Sequence, residues 1–247
     1  MKTLKEIFNL HKGDIVSIVG TGGKTTLLYQ LAKELKNDYN VLLTTSTKII
    51  KPLKGTCDFL YTNIEDYHMN HKVNKSSSIT VISKGIILEK NKLIGIDDND
   101  LESVAHDFDM VIIEADGSKS LPLKGWKNHE PVILEKTTKT IGIIPVKVLD
   151  KNINEDMIYG FEEFQKFSKE KKIIDNQLIG RICSDCNGIF KNSKKELYLY
   201  INQVDSAEDL IRAISLSNYL RDNIIGKPFY FRICIGSSVN GIYYEFN

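Results

Sequence analysis

Asp14-Ile-Val-Ser-Ile-Val-Gly20-Thr21-Gly22-Gly23-Lys24-Thr25-Thr26 joins a run of β-forming residues to a glycine-rich turn. An apolar-periodic helix follows, carrying Leu27, Leu28, Leu31, Ala32 and Leu35. Strand, glycine turn, lysine and hydroxyl residues, in that order, are the layout of a phosphate-binding loop. Glycine lets successive backbone N–H groups turn inward without a Cβ clash, and such groups cradle anionic oxygens. The N-terminus of the following helix adds a favourable dipole. On this reading Gly20, Thr21, Gly22, Gly23, Lys24, Thr25 and Thr26 surround the phosphates. Lys24 reaches the terminal phosphates and acts on them, and the Thr25 hydroxyl goes to Mg²⁺. The strict spacing places a glycine five positions before Gly23, where this chain has Ile18. The loop is a short form, and a glycine-rich turn that binds nothing is the plain alternative.

Outward from the loop, β-type runs recur at Asp14–Val19, Val41–Thr45, Ile79–Ser83, Met110–Glu114, Thr140–Pro145, Glu196–Asn202 and Phe229–Ile235. Helical patterns lie between many of them, at Thr25–Leu35, Asp98–Asp107, Asn154–Phe167, Asn176–Ser184 and Ala207–Leu220. Strands alternating with helices predict βαβ units and a mostly parallel sheet. Val111-Ile-Ile113 is apolar on both faces, as a sheet covered on both sides requires. The expected fold is an α/β three-layer sandwich of the P-loop NTPase type, formed by residues 1–247 as a single domain. Ser83–Asp97 reads as a hairpin about Lys90-Asn91-Lys92, and the tail around Ser237–Gly241 as paired strands. The charged, helical segment 151–195 is read as an insertion that caps the sheet edge.

Composition narrows the function classes. The formal net charge of +1 gives no electrostatic case for nucleic acid or an anionic membrane. No run approaches the ~20 apolar residues of a membrane span. The charged start, Met1-Lys-Thr-Leu-Lys-Glu, lacks the apolar core of a signal peptide. Four cysteines in a chain of 247 residues fit reduced thiols, and the expected location is the cytoplasm. Cys183-Ser-Asp-Cys186 has metal or redox spacing, but no further ligands stand nearby, and His68 and His71 are remote in sequence.

Three further stretches carry chemistry. The strand ending in Glu114-Ala-Asp116-Gly117 puts two carboxylates at a carboxyl edge, where parallel sheets bind ligands. Mg²⁺ prefers such oxygen ligands, and a second carboxylate can orient water or take a proton. Asp116 is preferred at the metal, with Glu114 at the metal or its water. A solvated acidic turn is the alternative. Thr44-Thr45-Ser46-Thr47-Lys48 ends another strand, and Thr45 is a further candidate for the metal. Asn202-Gln203-Val204-Asp205, between a strand and a helix, has the Asn-x-x-Asp spacing with which an aspartate reads guanine. A helix cap by Asp205 or Ser206 is its alternative. In the loop after the acidic turn, Lys124 and His129 are candidates for binding an anionic second substrate.

These pieces also occur in one recognisable order. Gly-Thr-Gly-Gly-Lys-Thr-Thr (20–26), Val-Leu-Leu-Thr-Thr-Ser-Thr-Lys-Ile (41–49), the run from Glu114 to Val132 and Asn202–Asp205 together resemble the YqeC family. The Glu-Ala-Asp-Gly run followed by Pro-Leu-Lys and His-Glu-Pro-Val is the most specific part. The resemblance implies a P-loop NTPase-like fold and a link to the maturation of selenium-dependent molybdenum hydroxylases, by contact with such an enzyme or its maturation factors. It implies no assigned reaction. The chain departs from the family pattern at Gly142–Asp150 and at Met157–Gly160, so no role is carried onto those residues. The expectation is Mg²⁺-dependent binding and hydrolysis of a nucleoside triphosphate, GTP ahead of ATP. A small-molecule kinase or Mur-like ligase using ATP, and a nucleotide-dependent binding switch with little turnover, are the alternatives.

Overall fold

The structure is a computed structural model that describes residues 2–70, 77–193, 195–224 and 230–246. His71 and Phe229, both singled out in the sequence, lie outside the described residues. Nine strands make the main sheet: β1 (Ile15–Gly20), β2 (Val41–Thr45), β4 (Phe59–Tyr61), β5 (Ile79–Ile82), β8 (Met110–Glu114), β10 (Lys139–Pro145), β12 (Glu196–Asn202), β13 (Arg232–Ser237) and β14 (Ile242–Phe246). A three-stranded sheet joins β3 (Lys48–Ile50), β6 (Gly85–Ile87) and β7 (Lys92–Ile94). The short strands β9 (Leu123–Lys124) and β11 (Ile158–Tyr159) pair with each other. The helices are α1 (Leu4–Ile7), α2 (Lys24–Leu35), α3 (Ile64–Asn70), α4 (Asp98–Val104), α5 (Phe161–Ser168), α6 (Asn176–Ser184) and α7 (Ala207–Asn223).

The main sheet runs β14-β13-β12-β10-β1-β8-β2-β5-β4, parallel throughout except for β14. Side-chain alternation assigns the layers. Met110 and Ile112 of β8, with Tyr198 and Tyr200 of β12, share a core with Leu27, Leu28 and Leu31 of α2. Val111 and Ile113 point the other way, onto Leu101 and Val104 of α4. Leu199 and Ile201 point to that second face too, into a core with Phe164, Leu178, Ile182 and Leu216 of α5, α6 and α7. The architecture is the predicted three-layer α/β sandwich with a mostly parallel sheet.

Strand order sets the functional edge. β1 lies between β8 and β10, and the chain extends from it in both directions. Such a switch point opens a crevice at the carboxyl ends of the strands. The turns after β1 and β8 face each other there.

One local expectation changes and two gain detail. The helix predicted over Asn154–Phe167 divides into a 3₁₀ turn (Glu155–Met157), strand β11 and then α5. Gly160, with φ +68°, turns the chain between them, and β11 pairs with β9. The predicted hairpin over Ser83–Asp97 forms as β6 and β7, and β3 adds to its free edge. Segment 151–195 contributes α5 and α6 to the second-face core, where Phe164, Phe167 and Ile179 are buried. Among the described residues, no helix is long and apolar enough to cross a membrane.

Candidate functional site

Gly20 opens the turn with φ +94°, and a Cβ there would lie 2.2 Å from the Ile143 carbonyl oxygen. The position therefore excludes side chains on conformation and on space. Its N–H donates to Asp116 Oδ2 at 3.0 Å, and the Thr21 N–H donates to the Ile143 oxygen at 2.9 Å. These two N–H groups fasten the turn to its neighbouring strands. Those of Gly22, Gly23, Lys24, Thr25 and Thr26 have no hydrogen-bond partner among the described residues. Gly23, at φ +132°, is the residue before α2, so the five donors lie at a helix N-terminus. That is a concave set of positive dipoles suited to an anion. Thr21 turns its hydroxyl away, donating to the Pro122 oxygen at 2.8 Å.

Behind the turn lies a buried cluster of charge. Lys24 Nζ donates to the Gly20 carbonyl at 2.6 Å and sits 3.2 Å from Asp116 Oδ1. Asp116 is fully buried and accepts from Trp126 Nε1 at 3.1 Å. Lys124 Nζ is 3.3 Å from Asp116 Oδ2 and 3.3 Å from Glu130 Oε2, and donates to the Gly117 carbonyl at 2.7 Å. Asp116 Oδ1 itself accepts no well-aligned hydrogen bond. Its compensation is the nearby Lys24 ammonium.

The two carboxylates of the acidic strand end therefore separate in role. Asp116 is enclosed by two lysines, an indole and a backbone N–H, and does not border the cleft. Glu114 does border it, and accepts from the Thr25 hydroxyl at 2.8 Å. Burial pushes the Glu114 carboxyl above its ordinary value, against the pull of Lys24 and the Thr25 hydroxyl. Asp116, preferred at the metal in the sequence, has its oxygens facing the two lysines, the indole and the Gly20 N–H. Thr45, the further metal candidate, donates its hydroxyl to the Glu114 carbonyl at 2.7 Å, within the sheet edge. Lys124, read as a contact for a second substrate, is fully buried and held by acidic and carbonyl oxygens. His129 lies on the cleft wall and is exposed.

On the other side of the turn, Asn202 Nδ2 donates to the Gly22 carbonyl at 2.8 Å, and Asn202 Oδ1 accepts from the Ser238 N–H at 3.0 Å. Gln203, at φ +64°, points its amide to the same Gly22 oxygen at 3.4 Å. Asp205 pairs with Lys147 and accepts from the Ser237 hydroxyl at 2.6 Å. The Lys147 ammonium, then the Ser237 hydroxyl, hold its carboxyl below the usual carboxylate range. Each oxygen keeps a further lone pair, so the group can still accept from a base. Ser206, not Asp205, caps α7, accepting from the Asp209 N–H. These residues border a small pocket of about 80 Å³ with Gly22, Gly23 and Thr26.

The larger cleft, about 910 Å³, shares Gly22, Gly23, Thr26 and Gln203 with that pocket and lies between β3 and β7 on one wall and the segment after β8 on the other. Cys183 is buried and Cys186 exposed, and among the described residues no three His, Cys, Asp or Glu side chains converge on a metal position. Trp126, Glu130, Lys147 and Ser237 were not singled out in the sequence. The one signal for the buried cluster is compositional: Lys124 stands among Leu121, Leu123 and Trp126.

A mostly parallel sheet between two helical layers, with a glycine-rich turn at its switch point, defines an α/β protein of P-loop NTPase-like architecture. Residues 16–162 match the family model described as YqeC protein, and the chain belongs to that family. It is similar to the protein of Escherichia coli (strain K12) described as "Uncharacterized protein YqeC", 28% identical over 153 residues. That match covers 61% of this chain and 59% of the relative, so the chain spans less than two thirds of the relative's length. Asn202 and Asp205 lie beyond the residues the family model matches.

Proposed function

We propose that the protein binds a nucleoside triphosphate with Mg²⁺ at the turn after β1 and hydrolyses it. The observation that carries this reading is the row of five unpartnered N–H groups from Gly22 to Thr26, beside Lys24 and the Thr25–Glu114 pair. Convergent N–H groups left without a protein partner at a helix N-terminus suit an anion with several oxygens. Lys24 exchanges its contacts with Gly20 and Asp116 for the terminal phosphates.

The donor chemistry fits Mg²⁺. The Thr25 hydroxyl and the Glu114 carboxylate are adjacent hard oxygen donors at the cleft. Magnesium usually takes one or two protein oxygens and completes its shell with phosphate and water. When bound, it neutralises charge on the phosphates. In hydrolysis a water oxygen bonds to the γ-phosphorus and the bond from that phosphorus to the β,γ-bridging oxygen breaks, leaving the nucleoside diphosphate, inorganic phosphate and a proton released to solvent. Lys24 stabilises the charge on the transferring group, Glu114 orients the water, and Asp116 positions Lys24.

The spacing of Asn202 and Asp205 supports guanine as the base, with ATP the alternative, and Asp205 has lone pairs for two purine donors. The family resemblance supports a role in maturing selenium-dependent molybdenum hydroxylases, with such an enzyme or its maturation factors as partner. Calorimetric titration with GTP and ATP, each with Mg²⁺, tests the reading. The expected result is binding by the wild type and its loss in Lys24→Ala, with the fold unchanged by circular dichroism. Equal affinity in wild type and variant overturns it.

A further inference from the structure

Two cavities that share residues of the turn after β1 border it, and they differ in size and charge. The small one holds the residues suited to a base, Asn202, Gln203 and Asp205. The large one, about 910 Å³, includes Lys24, Thr25 and Glu114, where terminal phosphates and metal would lie, shares Gly22, Gly23, Thr26 and Gln203 with the small one, and continues to Lys48, Lys92, Lys119 and His129. Sites of about 300–1,000 Å³ take ligands of small-molecule size.

The walls of this space are cationic in a chain whose formal net charge is only +1. Lys48 and Lys92 project from β3 and β7, and Lys119 and His129 from the opposite segment. Of the two glutamates at the cleft, Glu130 is already paired with Lys124, and Glu114 with the Thr25 hydroxyl. Lys48, Lys92 and Lys119 have no carboxylate partner among the described residues; Lys54 and Lys151 elsewhere on the surface have none either, and what sets the first three apart is that they line one cleft. Lys119 lies over the Tyr159 ring, 5.5 Å from its centroid, which keeps its ammonium at the cleft. Like charges gathered without counterions repel, and a multiply charged anion relieves that repulsion.

We infer that this space is a subsite for a second ligand, a small molecule carrying two or more negative charges as carboxylate or phosphate. Lys48 and Lys92 hold it from one wall, and Lys119 and His129 from the other, beside the terminal phosphates of the nucleotide. The inference rests on the nucleotide reading only for which neighbour the ligand meets.

Pyridoxal 5′-phosphate is a suitable probe: its aldehyde condenses with a lysine amine, releasing water, and borohydride reduces the imine to a stable amine. The wild-type protein is labelled with and without saturating Mg²⁺ and GTP, and modified lysines are mapped by peptide mass spectrometry. Lys48, Lys92 and Lys119 are expected to react at least about fivefold faster than the exposed Lys54 and Lys151, because neighbouring cations concentrate the phosphate. The preference is expected to persist with nucleotide bound. In Lys48→Gln/Lys92→Gln, both changes being near the surface, labelling of Lys119 falls toward the rate of Lys54. Even labelling overturns the inference, as does complete protection by GTP, which would make the space part of the nucleotide's own site. Selective labelling by a protein that binds neither GTP nor ATP upholds the subsite while removing the nucleotide reading.

Discussion

Asp116→Asn is the sharpest perturbation the buried cluster offers, because it keeps the shape and removes one charge. Asp116 is fully buried with Lys24 and Lys124 at 3.2 and 3.3 Å. The asparagine oxygen can keep the hydrogen bonds from Gly20 N–H and Trp126 Nε1, both of which use Oδ2. Its amide nitrogen then takes the place of Oδ1 and meets the Lys24 ammonium as donor against donor. Removing one partner of a buried ion pair costs about 3–5 kcal/mol. Two features favour the low end. Lys124 keeps Glu130 and the Gly117 carbonyl, and Lys24, 5% exposed at the cleft, can swing out to water. The expected loss is about 3 kcal/mol, a fall in melting temperature of about 6–12 °C for a chain of this length.

The assay is calorimetric melting of the metal-free protein, followed by nucleotide titration over a series of Mg²⁺ concentrations. If Asp116 positions Lys24, the variant melts lower while its Mg²⁺ requirement is unchanged, because the metal contacts lie at Thr25 and Glu114. A melting temperature within about 2 °C of wild type would refute the claim that this carboxylate holds the two lysines. A large rise in the Mg²⁺ needed for half-maximal binding would refute its exclusion from the metal.

Other perturbations test neighbouring steps. Burial raises the Glu114 pKa in the folded state, so above the ordinary glutamate range the folded protein holds the extra proton and loses stability as pH rises. Glu114→Gln should therefore gain on the wild type as pH rises above the ordinary glutamate range in metal-free melting, and a constant difference would refute the assignment. Asp205→Ala removes a charged acceptor, and any preference for GTP over ATP in competition binding should fall by about tenfold or more; an unchanged ratio would remove Asp205 from base reading. Gly20→Ala puts a Cβ 2.2 Å from the Ile143 oxygen at φ +94°, and a loss of more than about 2 kcal/mol in urea denaturation is expected.

Much of this molecule is legible from one dimension because its signals are local. The β8 residues Met110–Ile113 are apolar for both faces, and the turn from Gly20 to Thr26 announces itself through residues next to one another. The third strand of the small sheet was not legible, since Lys48–Ile50 pairs with Lys92–Ile94 across more than forty residues. The same applies to the cluster around Asp116. A carboxylate after a β strand looks the same whether it faces water or two lysines. What decides is that β9 and Trp126 fold back beneath it, a tertiary fact set partly by the pairing of Leu123 with Ile158. Asp205 is similar: its spacing is visible, but Lys147 and Ser237 arrive from separate strand ends.

The two lysines on Asp116 differ in what they are free to do. Lys124 is fully buried, held by β9, and bonded to Glu130 and the Gly117 carbonyl as well. Lys24 is at the first residue of α2, borders the cleft, and among the described residues has the Gly20 carbonyl as its one close polar contact besides Asp116. A single lysine would leave Asp116 uncompensated whenever it moved to a phosphate, and a buried bare carboxylate is among the most costly groups in a protein. With Lys124, Trp126 and the Gly20 N–H in place, the carboxylate stays compensated after Lys24 departs. On the proposed reading, the fixed lysine makes the mobile one available, and the Gly20 N–H keeps the turn in shape during the exchange. The segment from Glu114 to Glu130 thus acts on the phosphate turn from beneath, through Asp116.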